Sequence, residues 1–252
     1  MYRSGNPALN DLTFEKSAYK EVSWWEDSES NLMSMNGVVD KTALLLTIVT
    51  LTAIAVYLTV PISLFLSLLG AIVGFVVALI IIFSGSMNPI LICTYAACQG
   101  LFLGGITWII EYQYNAPGLG IVAAVLTFLI LGVMLSIYRA GLISWNKNMQ
   151  IAVTSSMVAI LLIYLVSFIG SFVGFEVPLI HGNGAVGIAF SVFVVGIASL
   201  CLVADFDFIE RGVERGAPKQ LEWRAAFGLL VTLIWLYLEI LKLLAKLAAS
   251  RR

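Results

Sequence analysis

Seven long apolar runs dominate the chain, and its polar residues collect between them. The runs cover 43–59, 62–83, 89–110, 117–138, 151–174, 184–204 and 224–247. Each approaches the roughly 20 residues that a helix needs to cross a bilayer. Pro and Gly mark the breaks. Pro61, "SGSMNP", "EYQYNAP", "RAGLISWNKN" and "GFEVPLIHGNG" separate the first six runs, and a charged connection, 205–223, precedes the last. The connections up to Gly184 are short, which predicts antiparallel neighbours. The pattern predicts an all-α polytopic membrane protein: a polar N-terminal tail, 1–41, followed by a seven-helix transmembrane domain, 42–252.

Composition agrees. Charged residues are 12% of the chain, about half the share in soluble domains. The mean hydropathy is +0.99. A net charge of -1 gives no electrostatic case for nucleic acid as a partner; the lipid bilayer is the expected surrounding. Cys93, Cys98 and Cys201 sit in apolar runs and read as small buried hydrophobes. The single histidine, His181, lies in a connection. With no His/Cys cluster, no transition-metal site and no cofactor are expected. Residues 1–41 lack the apolar core of a signal peptide. Within them, Trp24 and Trp25 of "SWWEDSESN" are either headgroup anchors or part of a mobile tail. The spacings Gly70/Gly74, Gly100/Gly104 and Gly170/Gly174 read as close helix packing.

Lys and Arg positions set the orientation. With the N-terminus in the cytoplasm, the inner connections carry Arg139, Lys147, Arg211, Arg215 and Lys219, and the outer ones carry no Lys or Arg. A basic C-terminal end (Lys242, Lys246, Arg251 and Arg252) then lies outside if 224–247 crosses, or inside if it is re-entrant. At about 1.5 Å per residue the last run is long enough to cross.

Candidate chemistry lies in "LCLVADFDFIERGVERG", residues 200–216. Between Ala43 and Ala204 only Glu111, Arg139, Lys147 and Glu176 are charged, yet here Asp205, Asp207, Glu210 and Glu214 follow in quick succession. The last run carries its own acid, Glu239. An ionisable residue inside a span is costly and marks a functional hypothesis. One reading pairs Glu239 with Lys242, three residues on. The other pairs it with Asp205, or with Asp207, from the neighbouring helix. Two carboxylates within hydrogen-bond reach share one proton, and such a pair senses pH. Asp205 and Glu239 are 34 residues apart, so their pairing needs slack in the connection between them. Trp235, one turn before Glu239, either shields the pair from water or simply packs. Trp108, Trp145 and Trp223 sit near predicted helix ends, as interfacial anchors do.

The stretch "ADFDFIERGVERGAPKQLEWRAAFGLLVTLIWLYLEILKLL", with "RSGNPALN" near the start, resembles the transmembrane Bax inhibitor motif family, in its bacterial YccA-like branch. The resemblance runs from Arg3 to Leu244. It implies seven helices with the last one central, wrapped by the other six. It also implies a pH-sensitive calcium leak whose carboxylate dyad is Asp205 and Glu239, with Asp207 the next choice. Here the helix-seven acid is glutamate, where the family often has aspartate. The resemblance further implies a location in the cell inner (plasma) membrane.

Calcium takes six to eight oxygens, and no EF-hand loop is present. Asp205, Asp207, Glu210 and Glu239 offer at most a loose acidic mouth that binds calcium weakly, as a permeant ion. Glu111 and Glu176 in outer connections are either cation attractors or ordinary solvated charges. The competing expectation is a non-conducting regulator in which the acids are structural and the partners are other membrane proteins. No enzymatic activity is expected: the Gly-x-Gly-Asp sequence of intramembrane aspartyl proteases is absent, because Asp205 follows Val203 and Ala204.

Overall fold

In hydrocarbon a backbone amide has no water to bond, so an apolar run satisfies its own amides as a helix. The computed structural model describes residues 31–59, 64–172, 182 and 184–250. Among these it has α1 (Met35–Thr59), α2 (Leu64–Ser84), α3 (Pro89–Gln113), α4 (Leu119–Arg139), α5 (Lys147–Phe172), α6 (Ala185–Glu214) and α7 (Leu221–Ser250). All seven are long and apolar enough to cross a membrane. Hydroxyls within them bond back to their own helix: Thr47 to the Ala43 carbonyl, Thr127 to that of Ala123 and Ser199 to that of Val195. The chain is thus an all-α multi-pass membrane protein, as its hydropathy predicts. Trp24, Trp25, Pro61, Gly174, Glu176, His181, Arg251 and Arg252 lie outside the described residues.

Three boundaries around the candidate site differ from the predicted ones. Helix α1 begins at Met35 rather than at 43. Its first turns bury Val38 and Thr42, and the Ser34 hydroxyl caps it by accepting from the Gly37 N–H at 3.0 Å. Helix α6 continues to Glu214 instead of ending at 204, and α7 starts at Leu221. The connection therefore shrinks to 215–220, and the acids after Ala204 sit on a helix. Charge does not end a helix when spacing allows pairing: Asp207 and Arg211 form an i,i+4 ion pair. The stop comes at Gly216, whose φ of 65° is left-handed. Its N–H bonds the Val213 carbonyl at 3.0 Å, and that of Ala217 bonds the Gly212 carbonyl at 3.1 Å, the paired bonds of a Schellman end.

The chain divides into two compact units, and α3, α6 and α7 contribute to both. The first comprises residues up to Ile109 and Asp205–Val231. In it, α3 presents Gly100 and Gly104 to α1. A Cβ at Gly100 would overlap the Thr52 hydroxyl and the Val49 carbonyl, and one at Gly104 the Ala53 carbonyl. The predicted packing role of this spacing is met by direct backbone approach. Tyr95 of α3 meets Phe227 of α7 edge-on, with ring centroids 4.9 Å apart. At the start of α1, Met33, Val38, Ile209, Ala217, Leu221 and Ala225 form one buried cluster.

The second unit comprises Ile110–Ala204 and Thr232 onward. Val153 and Ile160 of α5 pack with Val194, Ile197 and Cys201 of α6, and Trp145, Tyr164 and Trp235 close over them. Glu111, expected as a loop charge, is in fact buried at the end of α3 and accepts from the Gly120 N–H of α4 at 2.7 Å. It caps a helix that has no side-chain cap of its own. Helix α7 is unbroken over 30 residues. Over its spanning stretch 61% of the residues are buried, against 17% in α4 and in α5.

Candidate functional site

Asp205, Asp207 and Glu210 belong to the first unit, on the C-terminal part of α6. Successive helical residues turn by roughly 100°, so Asp205 and Asp207 face different ways. Asp205 is fully buried. Asp207 is half-buried and held by Arg211; Glu210 is exposed. The three acids that read as one cluster are thus one interior carboxylate and two on another face. Among the described residues, no group of three or more His, Cys, Asp or Glu side chains is arranged to hold a metal ion.

The same unit contains an acid that hydropathy alone assigns to the connection 205–223. Glu222, in the first turn of α7, is fully buried. It accepts from the Ser34 N–H at 2.9 Å and from the Ser34 hydroxyl at 3.1 Å, and it pairs with Lys41 of α1. Gly37 leaves room for this carboxylate: a Cβ there would overlap it. The Lys41 ammonium also lies 5.5 Å from the Trp223 ring centroid, a cation–π distance. Beside the pair, the chain ahead of α1 is laced to the turn between α6 and α7. The Met33 N–H bonds the Ala217 carbonyl at 2.7 Å, and the Lys219 N–H bonds the Asn31 carbonyl at 2.8 Å. The available signal was "LEWRAAFGLLV", where Glu222 and Arg224 open an otherwise apolar run. Arg224 is also fully buried.

Glu239 belongs to the second unit, midway along the C-terminal part of α7, and is 2% exposed. Its Oε2 accepts from the Tyr164 hydroxyl of α5 at 2.9 Å. Its Oε1 accepts from the Trp235 indole N–H at 3.1 Å and from the Lys242 ammonium at 2.6 Å. Lys242 also bonds the Tyr164 hydroxyl at 3.1 Å and sits 4.5 Å from that ring's centroid. The pairing of Glu239 with Lys242, one of the two readings open from sequence, is therefore present. Trp235 does more than pack, because its N–H is spent on the carboxylate. One turn beyond Lys242, the buried Lys246 donates to the Gly187 carbonyl at 3.0 Å and to the Ser191 hydroxyl at 2.8 Å, both on α6. Tyr164 was the member that sequence could not single out, since a tyrosine in an apolar run carries no distinguishing pattern.

Such an arrangement can hold a carboxylate in hydrocarbon: a charge buried at this depth persists when it is paired and fully hydrogen-bonded. Each unit keeps one acid of the expected pair inside a spanning helix, Asp205 in the first and Glu239 in the second. No curated protein matches the sequence. The family model of Bax inhibitor 1 like proteins, however, matches residues 6–249, nearly the whole chain and every helix described above, and the protein belongs to that family.

Proposed function

We propose that this protein is a pH-sensitive calcium leak channel in which Asp205 of α6 and Glu239 of α7 act together as the sensing pair. The observation that carries the reading is the burial of both carboxylates, 0% and 2% exposed, inside membrane-spanning helices of a Bax inhibitor 1-like chain. Intramembrane acids belong to ion and proton pathways far more often than to inert packing. Calcium is the permeant ion, bound weakly at most, with Asp207 and Glu210 adding negative charge near the end of α6. The acids attract cations; they catalyse nothing and need no cofactor. The setting is the inner (plasma) membrane of a prokaryote, with the N-terminus cytoplasmic and the chain in the YccA-like branch.

A second reading draws on the Glu239 network. A carboxylate already held by Tyr164, Trp235 and Lys242 suits a structural clasp in a non-conducting regulator of other membrane proteins. Calcium flux into liposomes, recorded from about pH 5 to 8, separates the two. The channel reading expects a pH-dependent flux that Asp205→Asn or Glu239→Gln flattens. Folded, monodisperse protein that passes no calcium at any pH overturns it and leaves the regulator.

A further inference from the structure

The C-terminal part of α7 carries Trp235, Glu239, Lys242 and Lys246 at three- and four-residue steps, so they share one helix face. An approach along that face from the end of α7 meets Lys246, then Lys242, and only then Glu239. Lys246 makes no hydrogen bond to the carboxylate, because its bonds go to Gly187 and Ser191, and acts on it through charge alone. Lys242 bonds it directly. Its ammonium touches one carboxylate oxygen, one phenol oxygen and a ring face. That is the kind of oxygen and π contact a partly dehydrated cation receives. The Lys242 side chain is 37% exposed, whereas Glu239 behind it is 2% exposed. Lys242 is therefore the more exposed member of the pair.

We propose that Lys242 is a tethered cation: it fills the Glu239 carboxylate that a divalent ion would otherwise bind, and so makes Glu239 a guarded cation site. The proposal rests on the reading of Glu239 as part of a calcium path and names the residue that regulates access to it. Tyr164 is the positioning residue. Its hydroxyl gives the ammonium a second oxygen, and its ring backs the charge. The lysine stem is flexible with several rotatable bonds, so release requires only a change of its rotamer. Calcium binding at Glu239 and Lys242 binding at Glu239 then exclude each other.

The test titrates calcium into the full-length protein in detergent micelles and reads protection against thermal unfolding, since a ligand that binds only the folded state raises its stability. Calcium flux of the same proteins in liposomes is recorded alongside. In Lys242→Met the apparent calcium affinity rises about tenfold or more, the factor expected when one charge-assisted hydrogen bond no longer competes. Lys242→Arg stays near wild type, and Lys242→Met with Glu239→Gln loses the gain. Tyr164→Phe, which keeps the acid paired while removing the second oxygen from the lysine, gives a smaller rise and serves if Lys242→Met does not fold. Unchanged affinity in folded Lys242→Met, or in Tyr164→Phe where that variant serves, overturns the proposal, as does a gain that survives Glu239→Gln. Tighter calcium binding with no flux in any variant upholds the guarded site and sinks the leak reading. Wild-type flux with no change in affinity does the reverse.

Discussion

The Glu222–Lys41 pair allows a sharp test of what holds the start of α1. Lys41→Met removes the ammonium and leaves a carboxylate at 0% exposure facing only the Ser34 N–H and hydroxyl. Stranding one member of a buried ion pair costs about 3–5 kcal/mol. Glu222→Gln is milder. The amide oxygen still accepts both Ser34 bonds at 2.9 and 3.1 Å, and Lys41, whose side chain is 18% exposed, can turn its charge toward water. What is lost is the charge assistance, about 1–2 kcal/mol. The double variant has no charge left to strand, so it falls near Glu222→Gln, and the coupling energy between the two sites comes to about 3–5 kcal/mol, the whole cost of Lys41→Met alone. The assay is thermal unfolding in detergent micelles at a fixed scan rate, followed by tryptophan emission. For a chain of this size each kcal/mol moves the midpoint by roughly 2–4 °C. Lys41→Met should therefore melt at least about 6 °C below wild type, and the double variant should recover most of that loss. If Lys41→Met melts within about 2 °C of wild type, or if the two single effects add, Glu222 is not held as a buried anion and the reasoning fails.

Three further outcomes follow from the same logic. Glu111→Ala removes the acceptor for the Gly120 N–H and should lower stability by about 0.5–2 kcal/mol, the usual value of a helix cap, with faster hydrogen exchange confined to the first turn of α4. Lys246→Met leaves the Gly187 carbonyl and the Ser191 hydroxyl without their donor, a loss of about 1–3 kcal/mol, measured by the same thermal assay. Gly104→Val places side-chain atoms against the Ala53 backbone, so α1 and α3 must separate; size-exclusion chromatography should show aggregated protein, whereas Gly132→Ala, where a Cβ meets nothing within 4 Å, should elute as wild type.

The architecture was legible because hydropathy acts one helix at a time: each run carries its own reason to be a helix in lipid, whatever its neighbours do. Asp205 and Glu239 were legible for the same reason, as charges in runs that otherwise avoid them. What remained hidden was pairing across long stretches of chain. Glu222 reads as a loop charge until Lys41 and Ser34, more than 180 positions earlier, are brought beside it. Tyr164 reads as packing until its hydroxyl meets Glu239, 75 positions away. The extension of α6 beyond Ala204 was hidden differently. Hydropathy marks where lipid exposure ends, and a helix is free to continue past that point when its charges pair along its own surface, as Asp207 and Arg211 do.

The lacing of the chain ahead of α1 to the turn after α6 has a consequence for how the protein is made. Lys41 leaves the ribosome first, and its counter-ion is encoded 181 residues later. At ordinary elongation rates that gap lasts roughly 10–40 s. Throughout it, α1 carries an ammonium whose partner carboxylate arrives only with α7. A chain that stalls before Glu222 is left with Lys41 lacking the carboxylate that pairs with it in the finished fold.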